Sequence, residues 1–263
     1  MDLKLKNKTA LVTGSSRGLG YATAYLLAQE GARVIINGRN PEKLEAARQR
    51  IQKETGSQAA AFAGDLADPA FPDQLVHKAA AQWDGLDILV TNAGGPPPGA
   101  FETLDDEAWD HAIQLSLLAH VRLIRVALPY LKKSTAASVL AVTSYSVKQP
   151  IPKLILSNSV RSATIGLIKT LALEVGDQGI RFNAILPGWT KTERVDQLLN
   201  ARAQASGRTT QEELDLQMQD SPLKRMAQPE EFANAAVFLV SPAASYITGH
   251  MLTVDGGMYK GTF

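Results

Sequence analysis

Short apolar or β-branched runs alternate with longer stretches of helical period from one end of the chain to the other. Strands are predicted at Thr9–Thr13, Arg33–Asn37, Ala59–Ala63, Ile88–Thr91, Ser138–Thr143, Arg181–Leu186 and Met251–Val254. This alternation is the pattern of an α/β fold, a doubly wound sheet of about seven parallel strands with helices on both faces. The first helix follows Gly18 and stops before Gly31, because glycine accepts the left-handed conformation that ends a helix. The second opens at Asn40-Pro41, with asparagine as cap and proline in the first turn.

Two later helical segments, Trp109 to Leu128 and Ser162 to Val175, are apolar on more than one face. Such a helix is either sandwiched in a core or pressed against another subunit, and a homo-oligomer interface, in a dimer or tetramer, is one of these two readings. The stretch 194–221 is polar and helix-prone without a strand pattern, which suggests a lid over a site. No repeat or linker divides the chain, and residues 1–263 read as a single domain with that lid.

Composition removes several function classes. The 27 basic residues nearly cancel the 26 acidic ones, leaving a net charge of +1, so neither nucleic acid nor an anionic membrane is an expected partner. With no cysteine, disulfides, thiolate metal sites and a thiol nucleophile are excluded, and a reducing compartment suits the chain. No run approaches the roughly 20 apolar residues of a membrane span, and the first residues are not those of a signal peptide, so a cytoplasmic protein is expected. His77, His111, His120 and His250 lack metal-ligand spacing, and no metal is expected.

Candidate chemistry begins at the first strand-to-helix turn, Thr13-Gly14-Ser15-Ser16-Arg17-Gly18-Leu19-Gly20. Glycines there let backbone approach a diphosphate, which the free N–H groups of the helix start attract, in the manner of a Rossmann-type fold. The spacing Gly-x3-Gly-x-Gly, rather than Gly-x-Gly-x-x-Gly, resembles the short-chain dehydrogenase/reductase family. Further motifs along nearly the whole chain resemble the same family. Gly64-Asp65-Leu66 is similar to its adenine-contacting segment, Asn92-Ala93-Gly94 to its Asn-Ala-Gly motif, and Asp255-Gly256-Gly257 to its closing segment. Arg181 through Gly188, followed by Thr190 and Thr192, is similar to the segment that grips the nicotinamide carboxamide. The three prolines within Gly94–Gly99 resemble a subgroup akin to 3-oxoacyl-acyl-carrier-protein reductases.

The resemblance implies a nicotinamide cofactor held by Gly14, Ser16, Arg17, Gly18, Leu19, Gly20, Arg39, Asp65, Leu66, Asn92, Ala93, Gly94, Arg161, Pro187, Gly188, Thr190 and Thr192. NADP(H) is favoured over NAD(H), because Ile35-Ile36-Asn37-Gly38-Arg39 offers no carboxylate for ribose hydroxyls. Arg17 and Arg39 are instead placed to clamp a 2′-phosphate.

The catalytic positions depart from the family's pattern. Alignment on Gly166 and Leu171-Ala172-Leu173-Glu174 puts Ser157 where the family has its tyrosine and Arg161 where it has its lysine. Ser116 falls at the asparagine position, and only the serine, Ser144, is kept. A serine hydroxyl is a much weaker acid than a phenol, and arginine is a poor proton relay. Ser144, Ser157 and Arg161 are the catalytic candidates, with an ordered water as proton donor. Tyr145 is the nearest phenol in sequence, but adjacent strand residues point to opposite faces, and packing is its expected role. The expected function is an NADP(H)-dependent oxidoreductase acting on a small carbonyl or alcohol, including a 3-oxoacyl thioester. The alternatives are a degenerate NADP-binding sensor or scaffold, and an enzyme whose substrate is already activated.

Overall fold

The computed structural model describes residues 1–262. Seven parallel strands form one sheet in the order β3-β2-β1-β4-β5-β6-β7. They are β1 (Thr9–Val12), β2 (Arg33–Gly38), β3 (Ala59–Ala63), β4 (Ile88–Thr91), β5 (Ser138–Val142), β6 (Arg181–Pro187) and β7 (Met251–Val254). Each observed strand lies within a residue of its expected bounds. The register sets Val12 beside Ile36 and Val90, so the turns that follow β1, β2 and β4 gather at one edge.

Period-two alternation sends neighbouring side chains into two different cores. Leu11, Ile35, Leu89, Val139 and Phe182 face one layer, with Ala10, Val12, Val34, Ile36, Val90 and Leu140 facing the other. Helices α1 (Gly18–Gln29), α2 (Pro41–Thr55) and α9 (Pro229–Val240) cover the second layer. Helices α3 (Phe71–Gln82), α5 (Ala119–Leu131) and α6 (Ile155–Glu174) cover the first. Asn40 caps α2 by accepting from the Lys43 N–H at 2.8 Å, and Gly56 ends it in the left-handed conformation. Gly31, at φ 83°, ends the turn after α1.

Asp106–Leu131 is one helical run of 26 residues, and an 18-residue window within it reaches a mean hydropathy of 1.3, enough by length and composition for a membrane span although polar residues interrupt its apolar runs. It is a core helix. Ala119, Leu123, Ile124, Ala127 and Leu131 are buried against the sheet, and their spacing makes one stripe. Its first part is α4 (Asp106–Ile113), joined to α5 by a π-helical turn at Gln114–Leu118. Leu115 and Leu117, which pack on different clusters, are each only half-buried, and Leu173 on α6 is 77% exposed. The segment after β6 folds as α7 (Glu193–Ser206) and α8 (Thr210–Gln219), with a reciprocal Thr209–Glu212 cap starting α8.

Candidate active site

The carboxyl ends of β1, β4, β5 and β6 open into a cleft of about 1000 Å³. It lies where the strand order reverses at β1 and β4, the place where an open parallel sheet leaves a crevice for a ligand.

The glycine turn forms one end. Thr13 still donates its N–H to Val90 O at 3.0 Å, and then Gly14 turns the chain at φ 55°. A Cβ on Gly14 would lie 2.7 Å from the Asn92 carbonyl oxygen, and one on Gly20 would lie 2.4 Å from Gly14 O. Gly18 differs, because the nearest atom to a Cβ there is Thr192 Cγ2 at 3.6 Å. The turn therefore shows bare backbone to the cleft at Gly18 and is tightly packed behind it.

Two side-chain amides, the half-buried Asn92 and the buried Asn37, lock this geometry. Asn92 Nδ2 donates to Gly14 O at 2.9 Å, and Thr13 Oγ1 bonds both the carbonyl and the N–H of Asn92. Asn37 donates to Phe62 O at 3.0 Å and Gly64 O at 3.3 Å, and its Oδ1 accepts from the Gly14 N–H at 3.4 Å. Helix α1 then starts with no side-chain cap and no acidic residue in its first turn, leaving its positive end for an anion.

Arg17 and Arg39 both line this end, and both meet carboxylates. Arg17 pairs with Glu193 at the start of α7, and Arg39 Nη1 lies 3.9 Å from Asp65 Oδ2. The end of β2 contains no acid, but β3 lies beside it in the sheet, so the turn after β3 brings Asp65 to Arg39. Ser16, Gly20, Asp65 and Leu66 do not line the cleft. Ser16 packs against Gly38, Gly20 against Gly14, and Leu66 is buried in the core, so these residues support the wall from behind.

Pro187, Gly188, Thr190 and Thr192 form the opposite lip. Gly188 donates to Val254 O at 2.9 Å and passes so close to Asp255 that a Cβ would lie 2.6 Å from its Cα. Thr190 is 2% exposed, and its Oγ1 has no partner among the described residues. Thr192 accepts from the Val195 N–H at 3.4 Å and so caps α7.

The far wall is built from side chains. After β5, Thr143 and Ser144 enter the cleft, and Ser144 Oγ accepts from the Ser146 N–H at 3.1 Å. That bond uses an oxygen lone pair and leaves the hydroxyl proton free to donate. Ser146 Oγ lies 3.4 Å from Ser157 Oγ, which links the two cleft serines through a buried third. Arg161, 7% exposed, reaches from α6 to donate from Nη1 to Thr143 O at 2.8 Å and Val142 O at 3.2 Å. Burial first, and the charge of Arg194 second, pushes its pKa down to about 10, so it stays protonated at neutral pH.

Tyr145 does not line the cleft. It is buried in the core with Trp189, and burial raises its pKa. Ser116 lies in the π-helical turn, where its carbonyl accepts from Thr164 Oγ1 at 2.7 Å and its own hydroxyl has no partner among the described residues. His120 is buried with Nδ1 2.7 Å from Thr91 Oγ1, and burial together with the Arg161 charge pushes its pKa down to about 3. His77 is held by Tyr130 on the far side of the sheet from the cleft opening.

These features suit a nicotinamide dinucleotide: a glycine cradle with an uncapped helix start, cations near one end, and an orphan threonine hydroxyl on the opposite lip. A family model described as enoyl-(acyl carrier protein) reductase matches residues 14–259. The 3-oxoacyl-[acyl-carrier-protein] reductase of Chlamydia trachomatis is 33% identical over 254 residues, covering 97% of this chain and 98% of that protein. The chain belongs to the short-chain dehydrogenase/reductase family. The crystal structure of L-sorbose reductase from Gluconobacter frateurii, complexed with NADPH and L-sorbose, superposes with a TM-score of 0.94 at 33% identity, over 99% of this chain and 100% of that one. A 7α-hydroxysteroid dehydrogenase complexed with NADH gives 0.89 at 30% identity, over 97% and 96%. Oxidoreductases that act on carbonyl or alcohol substrates with a nicotinamide cofactor are thus its relatives.

Within this family's fold, the three residues read from the sequence as catalytic candidates, Ser144, Ser157 and Arg161, share one wall. Four neighbours escaped sequence reading. Ser146 is hidden behind the cleft serines, and Thr143 was taken as a strand residue. Arg194 opens the stretch read as a lid and Glu193 comes just before it, where no pattern tells which side chains turn inward.

Proposed function

We propose that the protein is an NADP(H)-dependent oxidoreductase that reduces a carbonyl, the 3-oxoacyl thioester among the candidates, or oxidises the corresponding alcohol. The observation that carries this reading is a dinucleotide-shaped cleft ending at Ser144, whose hydroxyl proton is free, beside the buried cation Arg161. NADP(H) is favoured over NAD(H) by Arg17 and Arg39 at the glycine-turn end, where a 2′-phosphate would take the places of Glu193 and Asp65 as their anion. NADPH-bound and NADH-bound relatives both superpose well, so the argument for the cofactor rests on these two side chains.

The bound cofactor supplies hydride. The chain's own residues then have three tasks. Gly18 and the start of α1 hold a diphosphate through backbone N–H groups. Thr190 Oγ1 offers the carboxamide end a partner that it otherwise lacks. Ser144 donates a hydrogen bond to the substrate oxygen, and Arg161 stabilises negative charge developing there, with water held by Ser144, Ser157 and Arg161 as proton source. Among the described residues no phenol lines the cleft beside Ser144, Ser157 and Arg161, and water takes this role.

Residues 1–263 then act as one unit, with α7 and α8 as the substrate lid, in a homodimer or homotetramer that uses the second apolar faces of α4–α5 and α6. The expected setting is the cytoplasm, without nucleic-acid or membrane partners. A second reading, an NADP-binding sensor without hydride transfer, is favoured by one feature: Ser157 faces Ser146 where an acid would be needed.

A paired assay separates the two. NADPH is titrated by fluorescence, and its consumption is then followed with ketones, aldehydes and oxoacyl thioesters. Turnover that falls by about 10²-fold in Ser144→Ala supports the enzyme. Tight binding with no turnover across the panel favours the sensor, and failure to bind either nicotinamide cofactor sinks both.

A further inference from the structure

Two cations on the cleft's far wall have no anion. Arg161 donates from Nη1 only to main-chain oxygens of Val142 and Thr143, and Arg194 donates from Nη2 to Pro96 O at 2.6 Å. Among the described residues neither forms an ion pair. Glu193, the nearest carboxylate in sequence, is turned to Arg17, and Glu230 lines the cleft from α9, which packs on α1. Both guanidiniums line the same cleft, and the charge of Arg194 adds to burial in depressing the ionisation of Arg161, which is 7% exposed. Burying a charge against neutral dipoles alone is costly, and like charges side by side add to that cost. Such an arrangement is relieved by an anion that both can share.

The cofactor does not supply that anion. Its diphosphate belongs with Gly18 and α1, its 2′-phosphate with Arg17 and Arg39, and its nicotinamide ring carries no negative charge. The missing group is therefore on the substrate. We propose that Arg161 and Arg194 together hold a substrate carboxylate, so that the substrate is an oxo acid or its hydroxy acid. This deepens the oxidoreductase reading and rests on it for the reacting carbonyl. The guanidinium fork matches the two oxygens of a carboxylate. Arg161 bonds the carbonyl of Thr143, the residue before Ser144, so carboxylate and reacting carbonyl lie close together. Leu154, Val142 and Pro96 line the same region and leave apolar room for the rest of a short chain.

The test compares pyruvate, acetoacetate and phenylpyruvate with their methyl esters, as binding to the whole protein, with and without NADPH. The acids should bind at least about tenfold more tightly than the esters. Arg194→Gln and Arg161→Gln should remove this preference, and Arg194→Lys should keep part of it. NADPH affinity in Arg194→Gln should stay within about threefold of the parent, whereas a lost charge-assisted bond would exceed that. Equal binding of acids and esters, or no binding of any acid, overturns the proposal. So does an Arg194→Gln protein that loses NADPH affinity and keeps the acid preference, since that arginine would then serve the diphosphate. The readout is binding, so acid preference without turnover removes only the oxidoreductase reading. Turnover of neutral ketones without acid preference removes only the carboxylate site.

Discussion

At the glycine turn the cleft wall is backbone held by the side-chain amides of Asn37 and Asn92, whereas at the Ser144–Arg161 end it consists of side chains converging from the end of β5, α6 and α7. The first end is over-determined. Gly14, Gly20, Asn37 and Asn92 block one another, so each position admits little besides the residue present. The second end is more permissive, because side chains rather than close-packed backbone form the wall where Ser144, Ser157 and Arg161 meet. The glycine turn is thus constrained by close-packed backbone, and the far wall by the side chains that happen to meet there.

The largest effect should come from breaking the rigid end. Gly20→Ala puts a Cβ 2.4 Å from Gly14 O, and backbone there cannot yield without moving Asn92. A loss of about 3 kcal/mol in urea unfolding, together with NADPH affinity, is expected. Retention of both would show that the turn is as tolerant as the other wall.

A smaller effect probes the helix beneath the permissive end. His120 has its pKa pushed from 6.5 to about 3 by burial and then by Arg161. Between those values the unfolded chain binds a proton that the folded chain refuses, so this stability is complete above pH 6.5 and is lost as pH falls toward 3. Going from pH 7 to pH 5 should cost about 2 kcal/mol through this group. His120→Gln should flatten that part of the urea-unfolding profile, and an unchanged slope would place the histidine's titration elsewhere.

The smallest effect concerns the contact joining the two ends. The Arg17–Glu193 pair is exposed, so Glu193→Gln should change stability by less than about 1 kcal/mol. It should tighten NADPH by a few-fold relative to NADH, because Arg17 loses its competing carboxylate. Equal shifts for the two cofactors would remove Arg17 from 2′-phosphate binding.

Legibility of the site followed the same division. The glycine spacing was readable because it acts through local backbone, and Asn92-Ala93-Gly94 and the segment from Arg181 to Thr192 because they are contiguous motifs that resemble the family's, although Asn92 acts on Gly14, 78 residues away. Asp65 beside Arg39 was not readable, since it depends on β3 pairing with β2. Nor was the membrane-like length of Asp106–Leu131, because polar residues interrupt its apolar runs while the helix continues through a π-helical turn.

The pattern of apolar runs by itself determined the seven strands, the helices between them and the turn where a diphosphate would lie, because short-range periodicity and glycine conformation are local properties. Only the tertiary structure decided that Ser146 joins the two cleft serines, that Tyr145 is withdrawn into the core, and that Arg161 and Arg194 line one cleft and form no ion pair among the described residues. Those outcomes depend on residues far apart in sequence and on burial, which changes the chemistry of a guanidinium or an imidazole without changing its place in the chain.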